Sequence, residues 1–262
     1  MSTALMNSSN ASSGSKPVNV TVLGSGDAFA TAGRSQSGYL VKAGDTCVLM
    51  DAGPDLLGSM KRKGLSPADI DIVLISHLHG DHYGGIPFLM LEYMYESPPD
   101  RKIHLIGPRN FETRCWRMMK LAYPRFDVDV IRPWLQFREI EPHDRVRVGG
   151  MDISAIRSPH MVNDISLSLK LRIAGKTICY SGDSGWNEEL VTFAAGSDLF
   201  ICECTYYDRT DLSFHMNYPQ LAANRDRFKV GRMILTHLGR EMHAHKREVK
   251  MELAFDGMKL EV

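Results

Sequence analysis

The chain has 262 residues, 44% hydrophobic and 24% charged, enough to bury a large core and compatible with one α/β domain over residues 18–262. Lysine plus arginine and aspartate plus glutamate both number 31, so no net field draws the molecule to nucleic acid or to an anionic membrane. Cys47, Cys115, Cys179, Cys202 and Cys204 are odd in number and lie in or beside apolar segments, which points to buried reduced thiols of a cytoplasmic protein rather than a disulfide framework.

The opening MSTALMNSSNASSGSK lacks the basic start and apolar core of a secretion signal, so residues 1–17 are expected to be a disordered tail. No apolar run approaches membrane-spanning length, and no membrane partner is expected. Val18–Leu23 predicts a strand running into the glycine-rich turn GSGDAF, and Gly38–Lys42 with Thr46–Met50 predicts a hairpin around Ala43-Gly44-Asp45. A dinucleotide reading of that turn fails, because the third glycine is missing and a hairpin rather than a helix follows. Asp51-Ala52-Gly53 closes the third strand, and Pro54–Lys63 predicts a helix stopped by Gly64.

Asp71–Tyr83, DIVLISHLHGDHY, is the most informative stretch. Ile72, Val73, Leu74 and Ile75 read as a strand buried on both faces, and four potential metal ligands, His77, His79, Asp81 and His82, begin where it stops. Two histidines two residues apart can aim both imidazoles at one point, and Gly80 is expected to give the following turn its backbone freedom. Imidazoles with one or two carboxylates suit Zn²⁺ best, with Mn²⁺ or Fe²⁺ as alternatives.

The His77-x-His79-x-Asp81-His82 stretch resembles the signature of the metallo-β-lactamase-fold hydrolases. VTVLGSGDAF, VLMDAG at Val48–Gly53, SPH at His160, YSGDS at Asp183, CECTYY at Glu203 and LTHLG at His237 follow in the order of the ribonuclease Z-like branch. That branch includes tRNA 3′-processing nucleases and small-molecule phosphodiesterases. The resemblance implies an α/β fold of αββα type, two mixed β-sheets with helices on the outer faces and metals at one edge.

Beyond the motif, Gly84–Tyr95 predicts a helix packed in the core, although Met90, Leu91, Tyr93, Met94 and Tyr95 could instead overhang the site. Lys102–Ile106 predicts a strand, Arg109–Leu121 a helix and Val128–Ile131 another strand. Phe137–Ile140, Arg145–Val148, Asp152–Ile156, Ser166–Ile173 and Lys176–Ser181 form a second strand series, followed by helix Glu188–Ala195. Arg232–Leu235 is a further apolar strand, and the last residues predict a strand pair around Asp256-Gly257. His104, His143, His243 and His245 read as packing or solvated residues, and Cys202 and Cys204 as packing residues.

Read from the residues alone, His160 is a loop histidine and Asp183 sits in ordinary turn chemistry. The resemblance makes His160 the third ligand of one metal beside His77 and His79, and Asp183 a carboxylate bridging two ions. His237 repeats the arrangement of a ligand after an apolar strand, and with Asp81 and His82 it completes a second set. Two divalent ions would hold a hydroxide aimed at an electrophile, with Asp81 counted among the catalytic residues as well as the ligands. The resemblance also pairs Glu203 with His215 near the leaving group, and an acidic residue beside a histidine suits it to general-acid work.

These readings point to a hydrolase of a phosphodiester in a small molecule. A lactone, amide or thioester substrate on the same metals is the alternative, and a non-hydrolytic redox module would need flavin or diiron features that the chain lacks. A tRNA nuclease is disfavoured: no room for the long tRNA-gripping insertion lies between His160 and Asp183, and balanced charge offers no obvious source of phosphate contacts. A homodimer is compatible with the sequence.

Overall fold

The computed structural model describes residues 17–262, so the tail expected over 1–17 lies, Pro17 apart, outside the described residues. The first sheet is built from β1 (Val18–Gly24), β2 (Gly38–Ala43), β3 (Thr46–Met50), β4 (Ile72–Leu74), β5 (Ile103–Pro108) and β6 (Leu135–Ile140) in spatial sequence. The second is built from β7 (Arg145–Val148), β8 (Met151–Arg157), β9 (Leu167–Ile173), β10 (Lys176–Tyr180), β11 (Leu199–Glu203), β12 (Arg232–Thr236) and β13 (Glu252–Leu253). The chain then returns to place β14 (Lys259–Glu261) antiparallel to β1, which makes seven strands in each sheet. Both sheets are mixed: β1, β2 and β3 pair antiparallel while β3 to β6 run parallel, and β7 to β10 pair antiparallel while β10 to β13 run parallel.

Period-two alternation explains why the sheets face one another. Val18, Val20 and Val22 of β1 point inward with Met151, Ile153 and Ala155 of β8 and Leu167, Leu169 and Leu171 of β9, forming the apolar layer between the sheets. The opposite face of the first sheet, including Leu40, Leu49, Val73 and Ile75, is covered by α1 (Leu56–Arg62), α3 (Ile86–Tyr95) and α4 (Phe111–Ala122); α2 (Gly80–Tyr83) is the single turn that follows β4. The outer face of the second sheet packs Cys179, Phe200, Cys202 and Leu235 against α6 (Glu188–Ala194), α7 (Tyr218–Asn224) and α8 (Arg240–Ala244). This is the αββα order expected from the sequence. Ile86, Leu89, Met90 and Tyr93 of α3 are buried in the first outer layer, so that helix fills a core, while Tyr95 is exposed. All five cysteines are free and buried. Among the described residues no helix is long and apolar enough to cross a membrane.

Four expectations fail. Phe137–Ile140, expected to open the second strand series, lies in β6, which pairs parallel with β5 and so ends the first sheet. The other three fail for local physical reasons. Val128–Ile131 is a helical turn, α5, rather than a strand: the Asp127 side chain accepts the amide of Asp129 and caps it, and only Ile131 is buried. The last strands do not pair with each other. β13 joins β12 and β14 joins β1, because the Asp256 carboxylate between them is held by the amides of Ser25 and Ser35 and the Ser25 hydroxyl, which carries the chain from one sheet to the other. Gly80 opens α2 outside the left-handed region, and a Cβ there would meet nothing within 4 Å, so the turn does not need a glycine.

Candidate metal centre

The carboxyl ends of β3, β4, β8, β10, β11 and β12 converge at one edge of the sandwich, because the parallel strands all end there and β8 runs in the same direction as β10. β4 leads to His77, His79, Asp81 and His82, β8 to His160, β10 to Asp183 and β12 to His237. The structure brings these into two overlapping groups, His77, His79, His160 and Asp183, and Asp81, His82, Asp183 and His237, with one ligand atom from each member lying within 4.8 Å of the others. Asp183 belongs to both. Gly182 is the glycine this arrangement requires: its φ is 58°, and a Cβ would stand 2.7 Å from the Leu167 carbonyl oxygen.

The hydrogen bonds outside this ring of side chains decide which nitrogen faces in. A carboxylate only accepts, so the His82 Nδ1–H donates to Asp51 Oδ2 at 2.7 Å and turns Nε2 toward Asp81 (3.2 Å) and Asp183 (3.3 Å). The Ser76 hydroxyl also donates to Asp51, so its oxygen accepts from the His77 Nδ1–H at 3.1 Å, and His77 Nε2 faces Asp183 at 3.8 Å. The His160 Nδ1–H donates to the Phe214 carbonyl at 2.9 Å, leaving Nε2 3.0 Å from His79 Nδ1. The Thr205 hydroxyl donates to Glu203 and accepts from the His237 Nδ1–H at 2.9 Å, while His237 Nε2 lies 3.3 Å from Asp81 and 3.4 Å from Asp183.

Asp51 and Thr205 are the residues that sequence reasoning missed. Asp51 is fully buried and accepts the Ser76 amide and hydroxyl, His82 and the Tyr180 hydroxyl, all within 2.8 Å. Its φ of 55°, like the 54° of His237, lies in the left-handed region, a strain of about 1–3 kcal/mol each that the surrounding bonds must overcome. The available signal was its place: an aspartate directly after an apolar strand, as at the ligand-type residues themselves.

Electrostatics follow from burial and close packing. Burial would raise the Asp183 carboxyl, but His237 and His82 outweigh it and hold the group well below its ordinary range. Burial, then the neighbouring His82, pushes His77 well down. Burial also opposes charge on His215, yet the Glu203 carboxylate, 2.7 Å from its Nδ1, overcomes that and raises it to about 9. Glu203, His215 and His237 also lie within ligand distance of one another. Glu203 is already satisfied, accepting from the Ser184 and Thr205 amides, the Thr205 hydroxyl and His215, so it has no free direction for an ion.

These groups share a cavity of about 770 Å³ lined by His79, Asp81, His160, Asp183, His215 and His237. His104, His143, His243 and His245 are absent from its lining.

A family model described as anti-Pycsar protein Apyc1 matches residues 18–257. The chain is 27% identical over 222 residues to the probable metallo-hydrolase YhfI of Bacillus subtilis, covering 84% of this chain and 86% of that protein. The crystal structure of YhfI, described as a metallo-β-lactamase-fold protein, superposes with a TM-score of 0.76 at 25% identity, covering 94% of this chain and all of that one. The short form of human tRNase Z has the same fold, with a TM-score of 0.76 at 22% identity over 92% of this chain and 98% of that one. A diphosphatase of the PhnP family matches at a TM-score of 0.74 and 18% identity, over 94% and 98%.

Proposed function

The chain belongs to the anti-Pycsar protein Apyc1 family and has the metallo-β-lactamase fold, and from that premise we propose that it is a hydrolase that uses two divalent metal ions to cleave a phosphodiester in a small molecule. The observation that carries the reading is a pair of ligand-type clusters sharing Asp183, with a histidine–glutamate pair on the same cavity. His77, His79 and His160 would hold one ion, Asp81, His82 and His237 the other, and Asp183 both. The donor set suits Zn²⁺ best, with Mn²⁺ and Fe²⁺ as alternatives.

The residues fit such ions on a structural ground as well. His77 Nε2, His82 Nε2 and Asp183 Oδ1 are buried with no hydrogen-bond partner, and orphaned buried polar atoms are costly unless something else satisfies them. When bound, the ions supply a nucleophile deprotonated near neutral pH and positive charge against the phosphoryl oxygens. The chain's own part is orientation and proton supply. Asp51, Ser76, Thr205 and the Phe214 carbonyl fix the imidazole tautomers. Glu203 holds His215 by Nδ1, so its Nε2 is the atom that gives a proton to the departing alkoxide.

A cavity of about 770 Å³ is of small-molecule size, and the balanced charge supplies no net field toward nucleic acid. Elemental analysis and hydrolysis of bis-p-nitrophenyl phosphate test the proposal together. Two ions per chain and turnover are expected, and Asp183→Ala should cost more of both than loss of any one histidine. Full activity at one ion or fewer per chain removes the second metal, and turnover of lactones or thioesters without phosphodiesters moves the electrophile to carbon.

A further inference from the structure

The helices over the second sheet leave part of its outer face open, across β7, β8 and β9. Alternate residues there point away from the core: Arg145 and Arg147 of β7, Asp152 and Ser154 of β8, Lys170 and Arg172 of β9. With α6 as one wall they line a cavity of about 760 Å³ that shares no residue with the cavity of the candidate metal centre.

The strand register sorts these side chains into two rows. Arg145, Ser154, Lys170 and Cys179 lie opposite one another across β7 to β10, and Arg147, Asp152, Arg172 and Thr177 form the next row. The first row carries two cations and no anion, the second two cations and one anion. Opposite charges across strands stabilise a sheet and like charges oppose it, so this excess of cations is a cost to the fold. Protection of an open edge accounts for the arginines of β7, which ends the sheet, but not for Lys170 and Arg172, two strands further in.

The carboxylates around the groove are already engaged. Asp152 lies 3.5 Å from Arg147, Glu189 lies 3.3 Å from His143, and Asp144 accepts the Glu141 amide at 2.9 Å. Among the described residues no carboxylate stands within ion-pair distance of Arg145, Lys170 or Arg172, and the Ser154 hydroxyl makes no hydrogen bond. Lys170 is half-buried, with its ammonium 4.7 Å from the centre of the Phe193 ring on α6, so it is held at the wall of the groove rather than swept into water. Burial lowers that ammonium below its ordinary range, and Arg172 and Arg145 lower it further.

We infer that this groove is a second binding site, for a phosphoryl anion of two or more charges carried by a small molecule and held by Arg145, Lys170, Arg172 and the Ser154 hydroxyl. Adjacent strands are about 5 Å apart and the two rows about 7 Å, so these long side chains can meet at one centre above Ser154. A carboxylate offers two oxygens in one plane. A phosphoryl group offers three around a tetrahedron, which suits donors that arrive from three different strands. The site lies apart from the metal centre and does not depend on the phosphodiesterase reading.

The test is an amide NMR titration of the metal-loaded chain, at constant ionic strength, with inorganic phosphate, fructose 1,6-bisphosphate and a hexaglutamate peptide. Each amide reports its own site, so binding at the metals is read separately from binding in the groove. The two phosphoryl ligands should give saturable shifts at Ser154, Lys170 and Arg172, the bisphosphate at lower concentration. Lys170→Ala and Arg172→Ala should each weaken that binding roughly 10- to 100-fold, the span of a charge-assisted hydrogen bond, and leave shifts at the metal centre unchanged. Asp152→Asn removes the one anion of the two rows and should tighten it, a gain that a misfolded variant could not produce. Shifts that rise without saturating, shifts confined to the metal centre, or groove affinity indifferent to Lys170→Ala and Arg172→Ala overturn the site. Tighter binding of hexaglutamate than of either phosphoryl ligand at the same amides also overturns it, and makes the groove a docking surface for an acidic protein segment.

Discussion

Asp51, just after β3, and Glu203, at the end of β11, are both fully buried carboxylates, and each holds an imidazole by its Nδ1 at 2.7 Å. They differ in what else they bind and in where the held ring points. Asp51 gathers donors from both sheets, Ser76 after β4 and Tyr180 from β10, and its histidine turns Nε2 inward to Asp81 and Asp183. Glu203 gathers donors from neighbouring loops, Ser184 and Thr205, and its histidine lines the open cavity. On the proposed function, the same pair of groups would prepare a metal ligand when the ring faces buried carboxylates and a proton carrier when it faces substrate space. Position, not residue type, separates the two roles.

The largest expected effect breaks the second hub. His215→Ala should lose roughly 10²–10⁴-fold in kcat on a phosphodiester with a poor alkoxide leaving group, and much less with p-nitrophenolate, which departs without a proton. Metal content should be unchanged. Equal losses on both leaving groups would remove the acid role. Glu203 can be tested apart from catalysis, by following the His215 ring in an NMR titration of the metal-free protein. It should titrate near the value of about 9 to which Glu203 raises it, holding its proton below that pH and losing it above. Glu203→Gln removes the charge that favours the protonated ring, so the titration should move to lower pH. An unmoved curve would mean that Glu203 serves the loop rather than the proton.

Next in size is the first hub. Asp51→Asn leaves the shape but offers one acceptor oxygen where the carboxylate offers two, and its amide cannot accept from His82 while also meeting Ser76 and Tyr180. Residues behind metal-ligating histidines usually carry 10–100-fold in metal affinity, and a loss of about that size is expected by competition with a chelator. The leaving-group dependence of the remaining activity should stay that of the wild type. Asp51→Ala should also destabilise the fold by about 3–5 kcal/mol, since it strands buried donors. Unchanged chelator resistance in Asp51→Asn would show that His82 does not depend on its tautomer being fixed.

How visible each hub was in the sequence follows from how local it is. The proposed ligands His77, His79, Asp81 and His82 lie within six residues after an apolar run, so their chemistry is compressed into a motif. Asp51 lies twenty-five residues before Ser76 and far before Tyr180, and in VLMDAG it looks like a strand ending in a turn; only pairing of β3 with β4 brings it beneath His77 and His82. Thr205 sits between Cys204 and Tyr206 with no pattern of its own, and its three partners come from Glu203, His215 and His237. The fold was legible where period-two alternation recorded burial, as in β1 and β8. It was misread at Val128–Ile131, where four residues of strand-like composition are too few to outweigh the Asp127 cap, and at the last strands, where the long-range bonds of Asp256 decide which sheet each joins.

The smallest expected effect is the most discriminating, because Thr205 is where the two roles touch. Its hydroxyl donates to Glu203, accepts from the His237 Nδ1–H and lies 3.2 Å from His215 Nδ1. Thr205→Val keeps the volume and branching while removing that oxygen, so any change belongs to the hydrogen bonds rather than to packing. Each bond is worth about 0.5–1.5 kcal/mol, and a loss of about 3- to 10-fold should follow. It should be split between two readouts: weaker retention of metal, because His237 loses the partner that fixes its tautomer, and a steeper dependence on leaving group, because Glu203 and His215 lose a shared support. Thr205→Ser restores the hydroxyl and should recover both. A variant that loses metal retention alone would place Thr205 with the ligand hub, and one that changes leaving-group dependence alone would place it with the acid. Only the double effect supports a hydroxyl that couples a metal ligand to the proton donor.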